Sequence, residues 1–216
     1  MKLKHLLESQ FPTPKEEVED LLKTYKIENY IINDDLTVDV NSDVFLFRRN
    51  LIAIPVKFGK VNGNFTCSWN KLTSLEGAPR EVGGSFRCSI NELTSLEGAP
   101  REVGGDFNCA DNQLTSLEGS PRDIGGAFWC SENQLTSLKG APREVGSDFY
   151  CTHNKLTSLK GAPREVGGGF WCQNNQLTSL KGAPREVGGD FGCYDNQLTS
   201  LDGIGNVEGQ ILSDLS

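Results

Sequence analysis

Histidine is almost absent from this sequence, which has only His5 and His153 among its 216 residues. No two cysteines have the C-x-x-C spacing typical of zinc sites, so we expect neither a metal nor a cofactor. No apolar run is long enough to cross a membrane, and residues 1–10 are too short and too polar for a secretory signal. These absences predict an intracellular, cytoplasmic protein with no membrane contact.

Positive charge is also scarce. The net charge is −8, of which residues 1–43 carry −5 and residues 44–216 carry −3. The larger part of the chain is therefore close to neutral and has no basic footprint for nucleic acid. An acidic solenoid that mimics nucleic acid is an alternative function, but the small charge of residues 44–216 disfavours it.

What the sequence has in abundance is repetition. The unit F-x-C-x-x-N-x-L-T-S-L-x-G-A-P-R-E-V-G-G-x recurs every 21 residues. A fixed period near 20 with alternating apolar letters is typical of a solenoid, in which each turn buries one face against its neighbours. The sequence therefore predicts a mainly β solenoid. The repeated cysteines are Cys67, Cys88, Cys109, Cys130, Cys151, Cys172 and Cys193.

The repeated letters have predictable roles. Phe and Cys are two residues apart, so both point to the inside of a strand together with the two Leu, the Ala and the Val. We expect the thiols to be buried and reduced, and the Asn amide to bind backbone groups at the bend after the strand. The Gly-Gly pair is expected to turn the chain at positive φ.

The segment F-x-C-x-x-N-x-L resembles the strand segment L-x-L-x-x-N-x-L of leucine-rich repeats. Its short unit is similar to the bacterial type found in secreted effectors, and "LTSLEGAP" resembles Gly-rich repeats of tailed-phage genomes. The resemblance covers residues 65–203 strongly and 44–64 weakly. It implies a parallel sheet on a concave face, a loop or extended convex side without helices, and a binding scaffold with no reaction. Cysteine replaces the usual aliphatic residue, and Gly-Gly stands where other families place a helix.

The ends of the chain depart from the repeat. Residues 1–43 are predicted to form a helical cap, with one helix over 3–10 and another beginning at a Thr13-Pro14-x-Glu16 capping box. A separate acidic partner-binding module is the alternative for this segment. Residues 44–64 are predicted to form a divergent first repeat, 65–203 the solenoid, and 204–216 a short C-terminal cap. This thin cap leaves a sheet edge at which a second copy could pair.

Letters that differ among copies are not dictated by packing, so they are the candidates for recognition. The letter between Phe and Cys points out of the sheet, and it places three aromatic residues on successive turns. The predicted partner-binding patch consists of Trp129, Tyr150 and Trp171, with His153, Glu132 and Tyr194 beside them. A second, weaker cluster combines Arg87 with Trp69 and Ile90. Aromatic residues dominate interface hot spots, but a same-face ladder that only strengthens the sheet is an equally concrete interpretation.

The letter after the second Leu changes sign along the chain. It is Glu in the first three full repeats and Lys in the next three, so one ridge is negative at its start and positive at its end. Such a ridge can orient a partner or a second copy of the chain.

The function expected from these patterns is that of a non-catalytic protein-binding module. By analogy with the phage-type repeats, it would be a phage-encoded or bacterial accessory protein that captures a host or defence protein. A structural or self-assembling component is the main alternative, and a binder of ice or carbohydrate through the Thr-Ser column is another. An enzyme is not expected, because His153 and Glu132 have no exposed nucleophile near them and the thiols are buried.

Overall fold

The structure is a computed structural model that describes residues 11–215. Within this range the chain forms one helix, α1 (Lys15–Thr24), followed by short strands. The helix predicted over residues 3–10 lies outside the described residues. The strands are β1 (Tyr30–Ile32), β2 (Val38–Val40), β3 (Val44–Phe45), β4 (Phe58–Val61), β5 (Phe65–Thr66), β6 (Glu81–Val82), β7 (Phe86–Arg87), β8 (Glu102–Val103), β9 (Phe107–Asn108), β10 (Asp123–Ile124), β11 (Phe128–Trp129), β12 (Glu144–Val145), β13 (Phe149–Tyr150), β14 (Glu165–Val166), β15 (Phe170–Trp171), β16 (Glu186–Val187), β17 (Phe191–Gly192), β18 (Asn206–Val207) and β19 (Ile211–Leu212).

The strands form two parallel sheets that run the length of a solenoid. In the described residues, sheet I has the order β1-β2-β4-β6-β8-β10-β12-β14-β16-β18, and sheet II has the order β3-β5-β7-β9-β11-β13-β15-β17-β19. Neighbouring turns are one repeat apart in register, as where Phe128 lies opposite Phe149. The β1–β2 pair is antiparallel and extends sheet I at its N-terminal end. The predicted solenoid with a helical N-terminal cap is therefore confirmed.

Sheet I is an addition to the predicted architecture. Sequence analysis expected an extended chain on that side, but the Glu-Val letters form two-residue strands that pair in register, such as Glu144 with Glu165. Each of these strands buries one letter, the Val, and exposes the other. A single buried letter shows no alternation, so the sequence alone did not distinguish a strand from a loop.

The core is one continuous column between the sheets. Its Phe rings stack from turn to turn with centroids 5.2–5.5 Å apart. The two Leu, the Val and the cysteines fill the rest, and all seven cysteines are free and buried. The predicted burial of the thiols is therefore confirmed.

The repeated Asn binds backbone groups at the end of each sheet II strand, as predicted. Asn133 donates from Nδ2 to the carbonyl oxygens of Cys109, Cys130 and Ser131 at 3.1–3.2 Å. Its Oδ1 accepts from the Leu114 N–H at 2.9 Å. Two of these partners belong to the preceding turn, so each Asn fastens its turn to the one before.

The role predicted for the Gly-Gly pair was wrong. The glycines at positive φ are those of the Gly-Ala-Pro corner, for example Gly140 at φ 90°. The first glycine of the pair is needed for close approach instead, because a Cβ on Gly146 would collide with the carbonyl oxygen of Gly125. The second position tolerates a side chain, since Ser147 occupies it in one turn.

The N-terminal cap differs in detail from the prediction. Helix α1 is capped by Pro14 without a side-chain hydrogen bond, so the capping box expected at Thr13 does not form. Its apolar face buries Val18 and Leu22. Residues 30–40 add the β1–β2 hairpin, which the sequence analysis had not identified.

Both flanking segments continue the solenoid. In the divergent first repeat, Val44 pairs with Phe65 and Leu46 is fully buried, so this segment keeps the register of the solenoid. At the other end, β19 is a short strand within the segment predicted to form the C-terminal cap. β18 and β19 pair 20 residues after their partners, as with Phe191 and Ile211, so this segment is a shortened turn.

Candidate protein-binding surface

The three aromatic residues singled out by the sequence occupy neighbouring strands of sheet II. Trp129 lies opposite Tyr150, and Tyr150 lies opposite Trp171, on strands β11, β13 and β15. The letters on either side, Phe and Cys, are fully buried in all three strands. The backbone beneath these side chains is therefore fixed by the core. We call Trp129, Tyr150 and Trp171 the aromatic ladder.

The ladder stacks upon itself and also faces solvent. The ring centroids of Trp129 and Tyr150 are 4.1 Å apart at an interplanar angle of 22°, and those of Tyr150 and Trp171 are 6.2 Å apart at 9°. Trp129 is the most open member, with 37% of its surface exposed. Self-stacking and an exposed recognition surface therefore coexist in the same three side chains.

The indole of Trp171 lies in a space left by two glycines. A Cβ on Gly192 would be 2.6 Å from Cε3 of the indole, and one on Gly169 would be 2.7 Å from its Nε1. These two glycines interrupt columns in which other turns carry larger residues. Trp171 Nε1 and Gln173 Oε1 are buried without a hydrogen-bond partner, the two such side-chain atoms in the described part of the chain. The C-terminal end of the ladder is therefore tightly packed, and two of its polar atoms have no hydrogen-bond partner.

Beside the ladder runs a column of residues with left-handed backbone. It comprises Arg48, Trp69, Ile90, Asp111, Glu132, His153, Asn174 and Asp195, with φ between 51° and 59°. The sequence analysis treated these letters as free, but the conformation favours Asn and Asp and penalises a β-branched residue such as Ile90. We call this set the left-handed column.

Two neighbouring acidic residues of the left-handed column, Asp111 and Glu132, lie at the N-terminal end of the ladder. His153 Nδ1 lies 3.6 Å from Glu132 Oε1, so these two predicted site residues do meet. The Asp111 side chain has no hydrogen bond or ion pair within the described residues, and burial and the nearby charge of Glu132 raise its pKa. Asp111 is therefore a carboxylate without a compensating cation.

The remaining predicted site residues are less connected to the ladder. Tyr194 is half-buried two turns beyond Thr152 in the column after Cys, and no ring stacking joins it to Trp171. Arg87 is held by Asp106 at 3.2 Å rather than by Trp69. The Trp69 ring instead lies under the guanidinium of Arg48, 4.4 Å from its centroid. The expected Arg87–Trp69 cluster is thus regrouped into two separate pairs.

Two exposed aromatic residues of the same surface were missed. Phe45 is 52% exposed in the first strand of sheet II, and Phe47 is 48% exposed two residues later. The register gave the signal, because Phe45 falls between the inward letters Val44 and Leu46.

The letter before Phe differs among the repeats, but it has a structural use. The side-chain oxygen of Asp106 accepts from the Ala127 N–H one turn later at 3.0 Å, and that of Asp148 accepts from Gly169 at 2.6 Å. Burial, the charge of Asp148 and a hydrogen bond to it raise the pKa of Tyr150. The carboxylates of Asp106 and Asp148 on this side of the ladder therefore already accept hydrogen bonds from the backbone of the next turn.

The long groove of the molecule lies elsewhere. It has a volume of about 1000 Å³ and is lined by the repeated Glu-Val-Gly letters of sheet I, for example Glu102, Val103 and Gly104. The ladder, which was expected on a concave face, lies on sheet II and does not line this groove. Some groove carboxylates are paired, as Glu165 is with Arg164 at 3.3 Å.

No group of three or more His, Cys, Asp or Glu side chains in residues 11–215 is arranged to hold a metal ion. Over the same range, no helix has the length and apolar character needed to cross a bilayer. No family model matches the chain, and no curated protein or solved structure is detectably similar to it. The likeness to leucine-rich repeats therefore rests on the repeated letters alone.

Proposed function

We propose that this protein is a non-catalytic protein-binding module that recognises its partner with the aromatic ladder on sheet II. The observation that carries the proposal is the placement of Trp129, Tyr150 and Trp171 on a surface whose backbone is fixed by a fully buried core. Trp and Tyr are the residues most enriched at binding hot spots, and an aromatic surface on a rigid sheet loses little entropy on binding.

The surroundings of the ladder indicate the chemistry of the partner. Asp111 and Glu132 lie beside it in the left-handed column, and within the described residues their one ion-pair contact is that of Glu132 with His153 at 3.6 Å. A Lys or Arg side chain from the partner would offset these carboxylates and lie against an aromatic face. The chain contains its own example of such a contact, in which Arg48 lies over Trp69. We therefore propose that the partner presents a basic segment.

The expectation of a phage-encoded or bacterial accessory protein that captures a host or defence protein rests on the resemblance of the repeats. The aromatic ladder would be the surface by which such a protein is captured.

Affinity capture with paired variants tests the proposal. Trp129→Ser combined with Tyr150→Ser removes the open part of the ladder and leaves Trp171 in its glycine-lined space. Each hot-spot truncation is expected to cost about 2 kcal/mol or more of binding free energy, so the captured protein should be lost. Ile31→Ser is the matched control, because Ile31 is an exposed apolar residue on the cap.

The thermal unfolding of both variants must stay cooperative for the comparison to count. A partner that is retained by the ladder variant, or lost equally from the Ile31→Ser control, contradicts the proposal. A ladder variant that loses most of its stability assigns the aromatic residues a structural role instead.

A further inference from the structure

A third face of the solenoid, separate from both sheets, carries an ordered pattern of charge. It consists of the exposed letters between the Asn bend and the Gly-Ala-Pro corner, from residues 71–76 in one turn to 176–181 five turns later. We call it the Thr–Ser face. Its outer ridge has three acidic residues followed by three basic ones, all exposed: Glu76, Glu97, Glu118, Lys139, Lys160 and Lys181. The next turn adds one more exposed acidic residue, Asp202, beyond the six that form this pattern.

The backbone holds this ridge at a regular spacing. The Lys160 N–H donates to Ser158 Oγ at 3.0 Å, and the same Ser-to-ridge bond recurs in other turns. Leu138 N–H donates across turns to the Lys160 carbonyl at 3.1 Å. Each corner glycine abuts the backbone of the preceding turn, as Gly161 does against Lys139. The six charges therefore stand in a fixed row with steps of ~4.8 Å.

The order of the charges does not serve the chain's own stability. Like charges at neighbouring positions repel each other, and four of the five steps among these six residues join like charges. Of the ridge residues described, Glu118 and Lys139 alone form an ion pair, at 2.8 Å where the sign changes. An alternating order would make every step favourable. The segregated order is instead complementary to an external ridge of the reverse order.

We propose that two copies of this chain pair face to face and antiparallel through the Thr–Ser face, about a two-fold axis between Glu118 and Lys139. This axis places Glu76 opposite Lys181 of the second copy and Glu97 opposite its Lys160. Such an isologous contact forms every pair twice. A parallel pairing would place Glu against Glu and Lys against Lys.

A second column of the same face agrees with this axis independently. Five residues before the ridge, the exposed letters include Glu92 and Lys155, which the same two-fold axis places opposite each other. Lys71 faces the neutral Gln176, so no like charges meet in this column. Thr and Ser fill the space between the two columns.

The face is small, which sets the strength of the pairing. Steps of ~4.8 Å between turns and ~3.3 Å along the chain give about 24 by 16 Å, or ~800 Å² over both copies, below the size of stable complexes. Exposed ion pairs are individually weak and are screened by salt. The dimer should therefore be reversible, concentration-dependent and favoured at low ionic strength. The aromatic ladder lies on sheet II and remains free in it.

Charge reversal followed by sedimentation equilibrium tests the pairing. Glu76→Lys with Glu97→Lys and Glu118→Lys makes all six ridge residues basic, and Lys139→Glu with Lys160→Glu and Lys181→Glu makes all six acidic. Each triple variant alone should self-associate at least about tenfold more weakly than the unchanged chain at low ionic strength. An equal mixture of the two should form a mixed dimer at least as tight as the unchanged one, and the six-fold exchange should restore self-association.

A milder pair of changes guards against misfolding. Glu76→Lys alone should weaken the dimer, and adding Lys181→Glu should restore it, with far-UV circular dichroism unchanged in both. The proposal is overturned if the unchanged chain stays monomeric at high concentration and low ionic strength. It is also overturned if the two triple variants fail to pair, or if the second reversal does not restore what the first removes. Variants of the aromatic ladder should leave the dimer intact, which separates this test from that of the proposed function.

Discussion

Single side chains fasten each turn of this solenoid to the next. The buried Asn133 satisfies three carbonyl groups and one N–H that have no water to bind. Replacing Asn133 with Ala leaves these groups unpaired, and we expect a loss of about 3 kcal/mol in the free energy of unfolding. Urea denaturation measures it, with the exposed neighbour Gln134→Ala as a control expected within about 0.5 kcal/mol of the unchanged protein. Equal effects of the two substitutions would contradict this account of the Asn.

The left-handed column contains a residue that fits its backbone poorly. Ile90 is β-branched and has φ 54°, whereas Asn174 has φ 58° at the same position of another turn. Ile90→Asn should therefore raise the free energy of unfolding by about 1 kcal/mol, and Asn174→Ile should lower it by a similar amount. Thermal unfolding of the two reciprocal variants checks the prediction, which requires opposite signs. Changes of the same sign would show that side-chain contacts outweigh the backbone preference.

Predictability from the sequence also differs from residue to residue. Phe128, Cys130 and Asn133 were assigned correctly, because every full repeat keeps the letter and the period fixes its orientation. The left-handed backbone at Trp69 and Ile90 could not be found in this way. No Gly marks the position, and the residues that occupy it differ in size, charge and polarity.

At the scale of strands and corners, sheet I depends on how closely neighbouring turns approach. A Cβ on Gly146 would meet the Gly125 carbonyl, while the adjacent Ser147 already carries a side chain. We expect Gly146→Ala to destabilise the protein by about 1–3 kcal/mol through overpacking against backbone. Ser147→Ala should have little effect, and chemical denaturation of the two variants compares them. A tolerated Gly146→Ala would mean that the turns can separate at this corner without loss.

The strands of sheet II were predictable and those of sheet I were not, for a physical reason. Val44, Phe65 and Phe86 alternate with outward letters and continue into a buried Cys or Leu, which is the pattern of a strand. In sheet I, Val82 is followed directly by Gly83, so only inter-turn hydrogen bonding reveals the strand. The aromatic ladder was predicted from the sequence, whereas the packing of the Trp171 indole against Gly192 is visible only in the structure.

At the scale of the whole molecule, seven buried thiols make stability depend on alkaline pH. Burial raises the pKa of Cys67 to about 12, and burial together with Asp214 raises that of Cys193 to about 11. Burial raises the pKa of the other five thiols as well. In the unfolded chain thiols ionise near pH ~8.5, so above that pH protons leave the unfolded state first and favour it.

We expect the thiols to leave the free energy of unfolding unchanged below pH ~8. Above pH ~8.5 their ionisation in the unfolded state should lower it by about 1.4 kcal/mol per pH unit for each thiol. Urea denaturation at a series of pH values measures the slope. Cys193→Ala should reduce it by the share of one thiol. A slope that is independent of the number of cysteines would contradict the assignment of the alkaline destabilisation to the buried thiols.

The hydrogen bonds and Phe stacking that join successive turns also determine how the molecule responds to force. Each turn is attached only to its neighbours, so tension applied between the two ends loads the outermost turn before any inner one. Such a chain lengthens in steps, and each detached 21-residue repeat releases about 70 Å of contour length. The solenoid would then behave as an extensible tether with nearly equal increments, a property set by the number of copies rather than by any one of them.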